Sequence, residues 1–174
     1  METARLASQN PLRLVSYLLV EFRRLQCVEQ VYENLGETSF LDVSSDQNSI
    51  QQWAELGLTE HERPYLLKFN GGNCSGEMEL IFRDGRLVQG GLLLVGGLSQ
   101  TSFLQRLYET VRAIIGLHFS VIELSPIHVM FSDNVVNGYL HTIAGVSLAF
   151  RIAELKWCEA MYGPLDTTRT APES

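Results

Sequence analysis

Residues 77–95, EMELIFRDGRLVQGGLLLV, restrict the possible folds of this chain more than any other stretch. Met78, Leu80 and Phe82 alternate with Glu77, Glu79 and Ile81, the two-residue period of a strand. Asp84-Gly85 follows, and both residues tolerate positive φ, which a two-residue hairpin turn requires. Residues 86–95 are then the return strand. From Leu92 to Val95 that strand is apolar at every position, so it is expected at the centre of a sheet and covered on both faces. Gly90-Gly91 is expected to mark a bulge or a close packing contact.

The stretch 90–102, GGLLLVGGLSQTS, has a strand, glycines and small polar residues in an order that a phosphate cradle would also show. A cradle aims backbone N–H groups at the anion, commonly with a lysine beside them. No lysine lies between Lys68 and Lys156, and glycines at 90, 91, 96 and 97 fit neither the P-loop nor the dinucleotide spacing. The reading is therefore a buried strand turning tightly into a helix. Ser102 and Gln105 have capping-box spacing. Phe103, Leu104, Leu107, Tyr108, Val111, Ile114 and Ile115 trace one helical face, with Gly116 as the stop.

Two long terminal helices are expected. Asn10-Pro11 suits a helix start. Leu12, Val15, Leu18, Leu19, Phe22 and Leu25 continue at three- and four-residue spacing, to Tyr32, Leu35 and a stop at Gly36. The first helix is thus placed over 11–35. The last is placed over 137–161, with Tyr139, Ile143, Val146, Phe150, Ala153 and Trp157 on one stripe and Leu148, Ile152 and Leu155 on a second. Shorter elements are a strand within 38–44, a short helix from Ser49 to Gly57, strands over 65–70, 118–124 and 127–131, and a loop over 58–64 closed by Pro64. Residues 164–174 read as a disordered tail after a single domain over 1–163. The fold class expected is α+β: an antiparallel meander of about four to five strands, covered by the two terminal helices and the central amphipathic one.

Composition excludes some partners. A net charge of −7 argues against nucleic acid, which needs a basic face, and against an anionic membrane surface. No run of 18 apolar residues is present, so no membrane span is expected. Cys27, Cys74 and Cys158 are too few and too far apart for a disulfide framework, and a reducing cytoplasm is the expected compartment.

Chemistry-bearing residues are sparse. Cys74, in NGGNCSGE, reads as an exposed loop thiol; it and His128 are the weak candidates for reactivity. Asp133 follows His128 in the sequence. The four histidines lack H-x-x-x-H spacing, so no metal site is expected, and no cofactor site or catalytic residue is assigned. His128 is expected to face away from Ile127 and Val129. Glu77 and Glu79 share a solvated strand face rather than forming an acid–base pair.

The surplus of apolar stripe suggests a non-enzymatic protein-interaction module, such as an adaptor, an assembly subunit or a chaperone-like protein, oligomeric with itself or a protein partner. Leu18, Phe22, Leu148, Ile152, Leu155 and Trp157 are the candidate partner-binding residues. The alternatives are a small-molecule or sensor domain with an apolar pocket between the 90–97 strand and its covering helices, and an enzyme using Cys74 or a histidine.

Overall fold

A computed structural model of the chain describes residues 11–22, 41–42, 51, 54–55, 62–70 and 74–162. Its centre is an antiparallel sheet of eight strands. In chain order these are β1 (Leu41–Asp42), β2 (Glu62–Asn70), β3 (Ser75–Arg83), β4 (Arg86–Val95), β5 (Ser120–Ser125), β6 (His128–Ser132), β7 (Val136–Ile143) and β8 (Ser147–Glu154). Across the sheet the order is β1-β2-β3-β4-β8-β7-β6-β5. Two meanders of four strands therefore join along their last strands. Helix α1 (Pro11–Glu21) precedes them, α2 (Thr101–His118) links them and α3 (Leu155–Tyr162) follows. The fold is α+β with a meander, as the alternation in 77–95 requires.

The strand count exceeds the expected four to five because the last helix is mostly a hairpin. Residues 137–154 form β7 and β8, and only the eight residues of α3 are helical. Ala144 and Gly145 both take positive φ, 50° and 68°, and reverse the chain there. Val136, Gly138, Leu140 and Thr142 are buried in β7, as are Leu148, Phe150 and Ile152 in β8, each at a period of two. A segment apolar at both helical stripes is equally one buried at alternate positions, and the turn decides between them. The first helix ends its described course at Glu21; the expected continuation to Leu35, like Asn10, lies outside the described residues. So do most of the 49–57 helix, of which Gln51, Ala54 and Glu55 are helical, and the 164–174 tail.

Residues 62–64 belong to β2 rather than to a loop. Pro64 stands opposite Ile81 of β3, next to Tyr65 and Leu66, which pair with β1. The bulge sits two residues before Gly90-Gly91: Ile81 faces Gln89 and Phe82 faces Leu87, leaving Val88 as the extra residue. Gly90 is instead a packing contact. A β-carbon there would lie 2.8 Å from Leu18 Cδ2.

One sheet face, here the inner face, carries the main core. Leu14, Val15, Leu18 and Leu19 of α1, Phe22 just after it, and Leu104, Leu107, Tyr108, Val111 and Ile115 of α2 pack on Met78, Leu80, Phe82, Leu92, Leu94, Leu140, Leu148 and Phe150. Gly138 lets the Phe131 ring lie flat on β7, since a β-carbon would collide with that ring and with the Arg151 carbonyl oxygen. Phe131 then stacks on Phe150, with centroids 5.9 Å apart and planes 12° apart. On the outer face α3 covers only one end, where Trp157 and Cys158 pack on Ile81, Val88 and Ala153.

Helix α2 starts without the expected capping box. A 3-10 turn, Leu98–Gln100, leads into it, Gln100 is the N-cap and no side chain caps it. Ser102 is already inside the first turn, and Gln105 Nε2 donates to Glu109 Oε1 instead. The helix runs through Gly116 to His118, because nothing forces that glycine into a left-handed conformation. Among the described residues no helix is long and apolar enough to cross a membrane.

Candidate functional site

The outer face is the open surface of the molecule. Strand alternation sends Glu77, Glu79, Gln89, Leu93 and Val95 to it from β3 and β4. From β8, β7 and β6 it receives Ala149 and Arg151, Tyr139, His141 and Ile143, and His128 and Met130. Leu93 is 47% exposed, Val95 50%, Ile122 62% and Ile143 57%. The expectation that β4 is covered on both faces is therefore corrected. Leu92 and Leu94 are buried, but α3 is too short to reach Leu93 and Val95.

Two rows run across this face. In the first, Glu79 lies opposite Gly91, Gly91 opposite Arg151, Arg151 opposite Tyr139 and Tyr139 opposite Met130. In the second, Glu77 leads through Leu93, Ala149 and His141 to His128. With no side chain on Gly91, the first row encloses a shallow depression of about 290 Å³, bordered by Glu79, Gln89, Tyr139 and Arg151.

The polar groups of the depression are tied together on one side. Gln89 Nε2 donates to Glu79 Oε1 at 3.3 Å. Burial pushes the Glu79 carboxyl above the ordinary range, against the pull of that hydrogen bond and of the Arg151 charge, while Glu77 adds to the rise. The face is thus less solvated at Glu79 than its sequence suggests. Gln89 is 7% exposed and its Oε1 is buried with no hydrogen-bond partner. Arg151 Nη2 donates to Cys158 Sγ at 3.3 Å, and Cys158 donates to Asn137 Oδ1 at 3.3 Å, which pins α3 to the sheet. Burial raises the Cys158 thiol pKa against Arg151 and Asn137.

The second row ends in a histidine pair. His128 and His141 face each other with ring centroids 4.9 Å apart. Thr142 N donates to Ile127 O and Asp133 N to Val136 O, so the hydrogen-bonded pairs of β6 and β7 fall at the alternate positions. His128 and His141 therefore form a non-hydrogen-bonded pair, the kind that brings side chains closest. Burial and the neighbouring His141 lower the His128 pKa.

The expected site residues are distributed differently. Leu18, Phe22, Leu148, Ile152 and Trp157 are all buried in the chain's own core, and Leu155 is half-buried. Their stripes are spent inside the protein. Cys74 is 6% exposed rather than an exposed loop thiol, because it enters the core beside β3, and burial raises its pKa. The fold does not bring Cys74 and His128 together. β3 and β6 are four steps apart in the sheet, roughly 19 Å at ordinary strand spacing, and the two side chains lie on opposite faces. Asp133 does not pair with His128 either; its Oδ1 accepts from Val135 N and Val136 N at 2.7 and 2.9 Å. His128 does face away from buried Val129. Over Gly90, where an apolar pocket was expected, stands Leu18. His61 lies outside the described residues, and His118 is exposed at the end of α2.

A second depression, of about 340 Å³, lies between the Asp84 turn and the start of α3, lined by Arg83, Arg86, Glu154, Lys156 and Trp157 among others. Arg86 Nη2 donates to both oxygens of Glu154 there, at 2.8 and 2.7 Å. Among the described residues no group of three or more His, Cys, Asp or Glu side chains is placed to hold a metal ion.

No family model matches the chain, and no curated protein matches it significantly.

Proposed function

We propose that this chain is a non-enzymatic protein-interaction module that associates with a second copy of itself through the outer sheet face. The observation that carries the reading is the apolar content of that face. Leu93, Val95, Ile122 and Ile143 are about half exposed or more on a sheet whose other face carries the main core. Antiparallel sheets that face water ordinarily alternate to polar residues on that side, and a second sheet packed on such a face removes apolar area from water at about 25 cal/mol per Å². Charge supports a like partner. Glu77 and Glu79 stand on β3, whereas Arg151 stands on β8, across β4. Two copies stacked with their strand orders reversed set unlike groups against one another. A cytoplasmic role as an adaptor or assembly subunit fits the acidic surface and the free, buried Cys74 and Cys158.

Sedimentation velocity over a wide concentration range tests this. The wild-type chain is expected to dimerise, and Leu93→Glu and Ile143→Glu to be monomeric with unchanged circular dichroism. A wild-type chain that stays monomeric throughout removes the reading.

A second reading has its own support. The buried, unpartnered Gln89 Oε1 beside the Glu79–Arg151 depression offers an acceptor to a small ligand with a hydrogen-bond donor. At about 290 Å³ the space is at the small end of ligand clefts.

A further inference from the structure

We propose that His128 and His141 form a two-histidine chelate for a divalent transition-metal ion of the zinc and copper class. The argument begins with register. The two residues are direct cross-strand partners on β6 and β7, at a position where side chains approach most closely. Both are half-buried on the outer face, so the backbone and the neighbouring rows fix them while solvent still reaches the rings. Tyr139 packs edge-on against His128, with centroids 6.1 Å apart, and limits how far that ring turns.

Distance makes the pair fit an ion. An imidazole nitrogen binds zinc at about 2.1 Å, which puts the ring centre about 3.2 Å from the metal. Two such rings at ligand angles between square and tetrahedral have centres about 4.5–5.2 Å apart. The observed separation is 4.9 Å, with the planes tilted by 40°. The rings are thus neither stacked on one another nor too far apart to share one ion. Neutral imidazole suits Zn²⁺, Ni²⁺ and Cu²⁺ better than Mg²⁺ or Ca²⁺. Among the described residues no third His, Cys, Asp or Glu completes the set. Two ligands held on one rigid sheet still bind better than two separate histidines, since the second bond forms within the molecule.

This assignment stands apart from the dimer reading, and the test keeps them separate. Zn²⁺ alone and Cu²⁺ alone are titrated calorimetrically into the wild-type chain, into His128→Gln, His141→Gln and His118→Gln, and into Leu93→Glu, which changes the docking face and leaves both histidines. The expected result is one ion per wild-type chain, with Cu²⁺ tighter than Zn²⁺. His128→Gln and His141→Gln should each weaken binding about tenfold or more, whereas His118→Gln and Leu93→Glu retain it. Imidazole resonances of His128 and His141 should shift together with added Zn²⁺. The proposal is overturned if either histidine variant, shown folded by circular dichroism, binds as the wild type does. It is equally overturned if the double variant keeps the full stoichiometry, which would mark the binding as adventitious. A wild-type chain that binds one ion yet stays monomeric at every concentration would sink the dimer reading and leave the chelate standing.

Discussion

Leu18 of α1 occupies the space that a side chain on Gly90 would need: a β-carbon there would lie 2.8 Å from Leu18 Cδ2. Leu18 itself is completely buried. Among the buried residues of α1, Leu18 is therefore the one that fills the space of a missing side chain.

That contact predicts strong coupling between the two positions. Gly90→Ala alone should cost about 1–3 kcal/mol, because Leu18 must leave its rotamer or the helix must shift. Leu18→Ala alone should cost about 2–5 kcal/mol through the cavity it leaves. In the double variant the new methyl group enters that cavity, so the total should be smaller than the sum by at least about 1 kcal/mol. Urea denaturation of the four proteins measures this, and additive costs would show that the two residues do not share the space.

Glu79 gives a pH prediction with a definite sign. Its carboxyl is raised by burial, so the fold favours the protonated form. The stability it contributes is fully present below the unfolded carboxylate pKa of about 4.3 and is lost as pH rises through the folded value. Glu79→Gln keeps an acceptor for Gln89 and removes the buried charge. The variant should melt higher than the wild type at pH 7, and the difference should shrink toward zero near pH 4. A variant that melts lower at pH 7 would mean that the attraction of Arg151 outweighs burial.

The thiols provide a third check. Cys74 and Cys158 are buried, and both are held above the ordinary cysteine range by that burial. In a Cys27→Ser background neither should react with an aromatic disulfide reagent within minutes at pH 7.5, and both should react at once in denaturant. Fast reaction at one site in the native protein would identify a local opening there, most informatively at Cys158, whose exposure requires α3 to lift.

Local signals carried the parts of the fold that local physics decides. Asp84-Gly85 marked the β3–β4 hairpin, and the stripe from Leu104 to Ile115 marked α2. The C-terminal hairpin was missed because Leu148, Ile152 and Leu155 satisfy helical spacing while Leu148, Phe150 and Ile152 satisfy strand alternation. The residue that settles the matter is Ala144, which takes a positive φ that alanine rarely adopts. The candidate site was legible only in fragments. Glu77 and Glu79 were read onto one face, and His128 was turned away from Val129. The pairing of His128 with His141 depends on the register of β6 against β7, and the helical spacing over 137–161 conceals it. Likewise, nothing in the residues near Cys74 reveals that it turns inward.

The junction of β4 with β8 has a consequence for how the chain is made. During synthesis the first meander, α1 and α2 are complete by residue 118, yet Gln89–Val95 has no neighbour on one side until residues 147–153 emerge. Every intermediate in that interval presents an apolar, unpaired backbone ladder, the feature that invites neighbouring nascent chains to join. Chains cut short before Ser147 should accumulate as insoluble material, while the finished sequence closes the ladder with its own last strand.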